Sequence, residues 1–89
     1  MAGDNYKNLM TEIIRKQMDI LGQDMAIGKA RNVMGLKIKD DGEVSGITGS
    51  PEEILQDLVQ QYIALSGEIV KNILGPVFAK YPDIKLNFK

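Results

Sequence analysis

The second half of the chain carries a long run of apolar residues at helical spacing, and a clear helix-start signal precedes it. Ser50 stands where an N-cap is expected, Pro51 follows at the first helical position, and Glu53 lies three residues after the serine. This order predicts a capping box, in which the serine and glutamate side chains accept hydrogen bonds from each other's backbone N–H groups. A helix is therefore expected to begin at Ser50.

The apolar positions of this helix recur three or four residues apart as far as Gly75-Pro76. They are Ile54/Leu55, Leu58/Val59, Tyr62/Ile63, Ile69/Val70 and Ile73/Leu74, with Leu65 between them. Proline lacks an N–H and clashes with the preceding turn, so the helix is expected to stop or kink at Pro76. A helix of about 24 residues is roughly 36 Å long, whereas a strand of about five residues covers roughly 17 Å. The long helix would extend beyond a small sheet. Its apolar stripe would then have to be covered by the N-terminal helix, a second subunit or a ligand.

The first segment predicts an amphipathic helix. Its apolar residues fall on one stripe: Leu9, Met10, Ile13, Ile14, Met18, Leu21 and Met25. Gly22 is expected to end this helix in a left-handed conformation and to leave a second short helix from Gln23 to Asn32. A single helix that runs through Gly22 is the alternative.

A β-hairpin is predicted in the middle of the chain. The segments 36–39 and 43–48 flank Asp40-Asp41-Gly42, a three-residue loop in which Gly42 takes a positive φ. The expected register places Lys39 opposite Glu43, Ile38 opposite Val44 and Leu36 opposite Gly46, with a bulge near Gly46.

The last residues, from Ile84 to Phe88, alternate between apolar and polar and predict a terminal strand. The whole chain, 1–89, is therefore expected to be a single α+β domain. Its predicted order is an N-terminal helix with a break at Gly22, a hairpin, a long helix and a C-terminal strand. The sheet would have three strands, antiparallel or mixed, with the helices on one face.

Charge is segregated along the sequence. The acidic residues between positions 40 and 68 are Asp40, Asp41, Glu43, Glu52, Glu53, Asp57 and Glu68, and no lysine or arginine lies among them, although the net charge is only −1. The pattern predicts charge complementarity between parts of the fold or between chains. Glu52, Glu53 and Asp57 also suit the positive end of a helix dipole. We call Asp40, Asp41, Glu52, Glu53 and Asp57 the acidic end, a candidate site for a basic protein partner.

Composition argues against most catalytic chemistry. The chain has no cysteine, hence no disulfide, thiolate nucleophile or cysteine-bound metal, and no histidine, the commonest general base near neutral pH. The Asp40-Asp41-Gly42-Glu43 turn fails as a calcium loop, because Lys37 and Lys39 would occupy ligand positions. We expect no enzyme activity, cofactor or metal.

The sequence also bears on the setting of the protein. No apolar run approaches the roughly 20 residues of a membrane span, and the N-terminus lacks a signal peptide's apolar core. The near-neutral charge argues against a nucleic-acid binder. A cytoplasmic protein that binds neither membrane nor nucleic acid is expected.

A chain of 89 residues buries only about 60–65% of its unfolded surface when it folds, less than a larger domain does, and self-association is a common remedy. We therefore expect a non-enzymatic homodimeric interaction or regulatory module. The alternative is a sensor domain with a pocket for an apolar small molecule between the helices and the sheet. The candidate dimer or ligand face consists of Met10, Ile14, Met18, Met25, Leu58, Tyr62, Ile69 and Ile73.

Overall fold

The computed structural model describes the backbone of residues 2–81 and 84, and the side chains of residues 5–65, 67, 72, 74–81 and 84. The elements in chain order are α1 (Ala2–Leu21), α2 (Gln23–Arg31), β1 (Leu36–Ile38), β2 (Val44–Ile47), α3 (Pro51–Ser66) and α4 (Glu68–Ala79). Over the described range, the sheet consists of two antiparallel strands. The α+β class is therefore confirmed. The predicted C-terminal strand lies outside the described residues except for Ile84, which is buried and does not belong to a strand.

Helix α1 lies at the centre of the fold. It packs against α2, α3, α4 and β2. Its apolar stripe forms the middle of the core, with Leu9, Met10, Ile13 and Ile14 completely buried. The stripe predicted from helical spacing is thus the buried face of α1 as far as Leu21, whereas Met25 lies on α2 and is exposed.

Gly22 separates the first two helices, which confirms the predicted break. Its φ of 88° and ψ of 156° lie outside the helical region, and glycine adopts such a positive φ without a side-chain penalty. Its N–H donates to the Met18 carbonyl at 3.0 Å, and its own carbonyl accepts from the Ala26 N–H at 3.1 Å. One residue therefore ends α1 and begins α2.

The hairpin turn follows the prediction closely. Gly42 has a φ of 90°, the Lys39 N–H donates to the Glu43 carbonyl at 2.8 Å, and the Lys39 and Glu43 side chains form an ion pair at 3.2 Å. Ile38 lies opposite Val44, as expected.

The predicted register beyond that pair is wrong by one residue. Leu36 lies opposite Ile47 instead of Gly46, and Gly46 lies opposite Lys37. The bulge lies at Ser45, next to Gly46 as expected, and it shifts every later pair by one residue. The shift brings two apolar residues, Leu36 and Ile47, opposite each other on the strands.

The helices cover one face of the hairpin. Leu36 and Val44 are buried, whereas Lys37 and Ser45 are exposed on the opposite face. The Val44 N–H donates to Thr11 Oγ1 at 3.0 Å, and the Thr11 hydroxyl donates to the Lys7 carbonyl at 2.8 Å. This hydroxyl gives an N–H of β2 a partner on α1.

Helix α3 begins where the sequence predicts. Ser50 is the N-cap and Pro51 the first helical residue, and the Ser50 carbonyl accepts from the Ile54 N–H at 3.0 Å. Among the described residues, however, the Ser50 side chain makes no capping hydrogen bond. The start signal is therefore correct, while the predicted capping box does not form.

The prediction of one long helix from Ser50 to Gly75 is wrong. Gly67, with a φ of 61° and a ψ of −128°, separates α3 from α4. A straight helix of roughly 36 Å would exceed the longest dimension of the molecule, 30 Å. The bend instead lets α4 pack on α1, where Leu74 and Val77 are buried. The overhang inferred from the sequence therefore does not exist.

Pro76 does not end the last helix. Helix α4 continues through it to Ala79, and the Lys80 N–H donates to the Val77 carbonyl at 3.1 Å. The helix thus accommodates the loss of one backbone N–H at its ninth residue.

Tyr62 joins α3 to α2 inside the core. Its side chain is completely buried, and its hydroxyl donates to the Ala26 carbonyl at 2.7 Å. Burial of the phenol raises the pKa of Tyr62 above 10.0, its ordinary value.

Replacing Tyr62 by phenylalanine removes this hydrogen bond and leaves the ring. We expect Tyr62→Phe to lower the free energy of unfolding at pH 7 by about 0.5–1.5 kcal/mol, as measured by urea denaturation.

The same variant should behave differently in alkali. The folded-state pKa of Tyr62 is raised, so its contribution to stability is complete below about pH 10 and is lost as the pH rises above the unfolded-state pKa. Above the unfolded-state pKa, the free energy of unfolding of wild type should fall more steeply with pH than that of Tyr62→Phe. The difference in slope should reach up to about 1.4 kcal/mol per pH unit. Equal slopes for the two proteins would contradict the burial of an ionisable phenol at this position.

Candidate functional site

Half of the predicted dimer or ligand face lies in the core. Met10, Ile14, Leu58 and Tyr62 have 0% of their surface exposed. They pack against one another and against neighbouring core residues of the same chain. These four side chains therefore present no surface to a partner. Two further members of the predicted face, Ile69 and Ile73, have side chains that lie outside the described residues.

The methionines of the predicted face are spread over different environments. Met18 is half-buried under the hairpin turn, where a Cβ built on Gly42 would come within 2.7 Å of its Sδ. Met25 is 49% exposed on α2. Together with the buried Met10, these residues do not form the lining of one pocket.

Two members of the acidic end bind basic residues of the same chain. Asp40 Oδ1 lies 2.8 Å from Arg31 Nη2, and Asp41 Oδ2 lies 3.7 Å from Arg15 Nη2. Gln23 Nε2 also donates to the Asp40 carbonyl at 2.7 Å. Charge complementarity between parts of the fold is thus present at the hairpin turn. Such exposed ion pairs contribute only ~0–1 kcal/mol each, so they orient the turn more than they stabilise the fold.

The rest of the acidic end is exposed in the first two turns of α3. Glu52, Glu53 and Asp57 form no ion pair with any described residue. Tyr6 of α1 lies beside this surface, and its burial together with the Glu52 carboxylate raises the pKa of Tyr6. We call Glu52, Glu53 and Asp57 the α3 acidic surface.

A groove with a volume of about 430 Å³ lies between α1 and α4. It is lined by Lys16, Asp19, Ile20, Pro76, Val77 and Lys80. Ile20 is 44% exposed although it is a large aliphatic residue, and Val77 is buried. Lys16 and Asp19 form no ion pair within the described part of the chain. We call this feature, which has apolar walls and charged edges, the α1/α4 groove.

An ion pair closes one side of the α1/α4 groove. Lys80 Nζ donates to Glu12 Oε1 at 2.9 Å, and this carboxylate raises the pKa of Lys80. Burial and the same carboxylate also raise the pKa of Tyr81. Three groups from α1 and from the end of α4 therefore meet at this edge.

Gln17 is a buried polar residue that the predicted site does not include. It has 0% exposure, and neither Nε2 nor Oε1 has a hydrogen-bond partner among the described residues. The signal was in the spacing, because position 17 lies three residues after Ile14 and four before Leu21, on the stripe of α1. An unpaired buried amide disfavours folding by about 1–3 kcal/mol. It occupies a position where an aliphatic side chain would be more stable.

Among the described residues, no group of three or more acidic side chains lies close enough together to hold a metal ion. In the same part of the chain, none of the helices combines the length and the hydrophobicity that a membrane span requires.

Substituting Gln17 tests the account of its environment. We expect Gln17→Leu to raise the free energy of unfolding by about 1–3 kcal/mol, because it removes two unpaired polar groups from the core. Gln60→Leu is a matched control on the exposed side of α3 and should change stability by less than about 0.5 kcal/mol. A loss of stability in Gln17→Leu, measured by urea denaturation, would mean that the amide is hydrogen-bonded in solution.

The candidate site rests on geometry and chemistry. Neither protein-family models, nor curated proteins, nor solved structures gave a match to this chain. The α1/α4 groove and the α3 acidic surface are therefore the two candidate contact surfaces of the molecule.

Proposed function

We propose that the chain is a non-enzymatic interaction module that forms a homodimer through the α1/α4 groove. The observation that carries this proposal is the composition of the groove. A half-exposed aliphatic residue, Ile20, lines the groove together with Lys16 and Asp19, which have no ion partner among the described residues. Apolar surface flanked by unpaired charges of both signs is suited to a protein contact.

The lysine and the aspartate at the groove can pair with the same two residues of a second copy. In a two-fold symmetric contact, each residue meets its counterpart reciprocally. Lys16 of one copy can therefore face the Asp19 of the other copy, and the reverse, when two α1 helices cross in antiparallel orientation. The same contact would cover Ile20 on both copies. A second copy of this chain therefore supplies charges of opposite sign to Lys16 and Asp19 and an apolar partner for Ile20.

Size supports the same conclusion. A chain of 89 residues has a small core, and burying an additional apolar surface in a dimer adds to its stability. The proposal retains the cytoplasm as the setting of the module. It also retains a C-terminal strand after Ile84, on the alternation of apolar and polar residues in the sequence.

The α3 acidic surface is the second contact surface in this proposal. Glu52, Glu53 and Asp57 are exposed together at the beginning of α3, and a basic protein segment would complement them. Asp40 and Asp41 contribute less, because Arg31 and Arg15 already balance their charge.

A small apolar ligand in the α1/α4 groove is the second candidate. The volume of about 430 Å³ falls within the range of ligand pockets, roughly 300–1,000 Å³. Three of the six lining residues are charged, which favours a protein contact over an apolar ligand. The location also differs from the expected one, since Met10 and Ile14 are packed in the core beside the hairpin.

The homodimer can be tested with two matched substitutions. Ile20 and Leu65 have similar exposures, 44% and 42%, but lie on different helices. We expect wild type to show twice the chain mass of 9.9 kDa in light scattering. Ile20→Glu should be monomeric, because a carboxylate would be buried in the contact, whereas Leu65→Glu should stay dimeric. A monomeric wild type at high micromolar concentration, or a dimer that survives Ile20→Glu, would contradict the proposal.

Charge exchange gives the same experiment a second arm. Lys16→Glu and Asp19→Lys should each weaken the homodimer, because like charges then face one another. A mixture of the two variants should form heterodimers, in which both reciprocal pairs are opposite in sign. Raising salt from about 50 mM to about 500 mM should weaken that heterodimer, since screening shortens the reach of the charges. Failure of the mixture to associate would show that these two residues do not face each other.

A further inference from the structure

A single residue connects the last two helices. Helix α3 ends at Ser66, α4 begins at Glu68, and Gly67 alone lies between them. Its φ of 61° and ψ of −128° belong to a region that glycine occupies readily and other residues avoid. The Gly67 N–H donates to the Ile63 carbonyl at 2.8 Å, as a helical N–H would. The bend therefore depends on the conformation of one glycine.

The sequence on both sides of Gly67 has the pattern of a continuous helix. The apolar pairs Tyr62/Ile63 and Ile69/Val70 are seven residues apart, which is close to two helical turns. A straight helix would therefore keep the apolar residues of α3 and α4 on one stripe. Two arrangements are compatible with this sequence, one bent at Gly67 and one straight through it.

Helix α4 covers a surface of α1 only when the chain is bent at Gly67. In the bent chain, Leu74 and Val77 are buried, and Lys80 bonds to Glu12 of α1 at 2.9 Å. In the straight chain, α4 would leave α1 and uncover this surface. Because α4 of a second copy has the same side chains, it can restore every one of these contacts between chains.

We propose that two copies of this chain pair by exchanging α4, with Gly67 as the hinge. Each α4 packs on α1 of the other copy, and the Glu12 to Lys80 ion pair then joins two chains. This exchange goes beyond the homodimer proposed above, because it specifies which segment crosses between the copies. The mass of the wild type tests the homodimer, whereas the behaviour of Gly67 variants tests the exchange.

Gly67→Ala is the variant that isolates the hinge. A Cβ at this position would meet no atom within 4 Å, so the substitution changes the backbone preference without a clash. Alanine disfavours the positive φ and favours a straight helix. If the control variant Gly75→Ala is monomeric, we expect Gly67→Ala at the same concentration to have twice the mass of the 9.9 kDa chain. If Gly75→Ala is dimeric, we expect the Gly67→Ala dimer to dissociate at least tenfold more slowly.

Gly75→Ala is the matched control. Gly75 lies inside α4, and a Cβ there would also meet no atom within 4 Å. This variant adds the same methyl group and the same helix preference, but at a position that is already helical. It should keep the mass and the dissociation rate of wild type. Identical behaviour of Gly67→Ala and Gly75→Ala would overturn the exchange.

A distance measurement identifies the straight chain directly. The sequence has no cysteine, so spin labels can be attached at Gln56→Cys on α3 and Asn72→Cys on α4, both exposed positions. In a straight helix the two positions are separated by about 24 Å along the axis, and the bend at Gly67 makes the distance shorter. Labelled Gly67→Ala, diluted with unlabelled chain, should show the longer distance. A Gly67→Ala dimer with the shorter distance would leave the homodimer intact and overturn the exchange.

The wild-type chain provides an independent measurement if Gly67→Ala aggregates. Labelled at the same two positions and diluted with unlabelled chain, it should develop the distance of about 24 Å as the total concentration rises to millimolar. A single short distance at every concentration would overturn the exchange.

Discussion

Burial of α1 is the constraint on which the rest of this structure depends. Helices α2, α3 and α4 and strand β2 all pack on it, and its stripe contains the completely buried Leu9, Met10, Ile13 and Ile14. Each such side chain contributes about 1.5–3 kcal/mol when it is removed from water. The glycine bends at Gly22 and Gly67 bring α2 and α4 back along the same helix. Gln17 on this stripe is the exception, since its buried amide has no hydrogen-bond partner in the part of the chain that the structure describes.

Features that depend on neighbouring residues could be predicted from the sequence. Gly22 was correctly expected to break the first helix, and Gly42 to form the hairpin loop, because a positive φ favours glycine wherever it occurs. The start of α3 followed from Ser50 and Pro51 in the same way. The apolar spacing of α1 correctly indicated its buried face.

Features that depend on tertiary contacts could not be predicted from the same patterns. The helical period is unbroken across Gly67, so only packing of α4 on α1 reveals the bend. An apolar stripe indicates that a helix face is buried, but it does not indicate which element covers that face. Met10 and Tyr62 were therefore predicted to contact a partner, although residues of the same chain cover them. The partners of Asp40 and Asp41, Arg31 and Arg15, lie on α2 and α1, and local spacing does not indicate them. The α1/α4 groove likewise exists only after α4 folds back.

The central claim is that a second copy of the chain binds at the α1/α4 groove. The most direct test is a series of amide NMR spectra of the wild-type chain, recorded from tens of micromolar to millimolar concentration. Binding at the groove predicts concentration-dependent shifts at Lys16, Asp19, Ile20, Val77 and Lys80, which line it, and constant shifts at the exposed Lys37 and Ser45 of the hairpin. Constant shifts throughout, or shifts confined to the hairpin, would contradict the account.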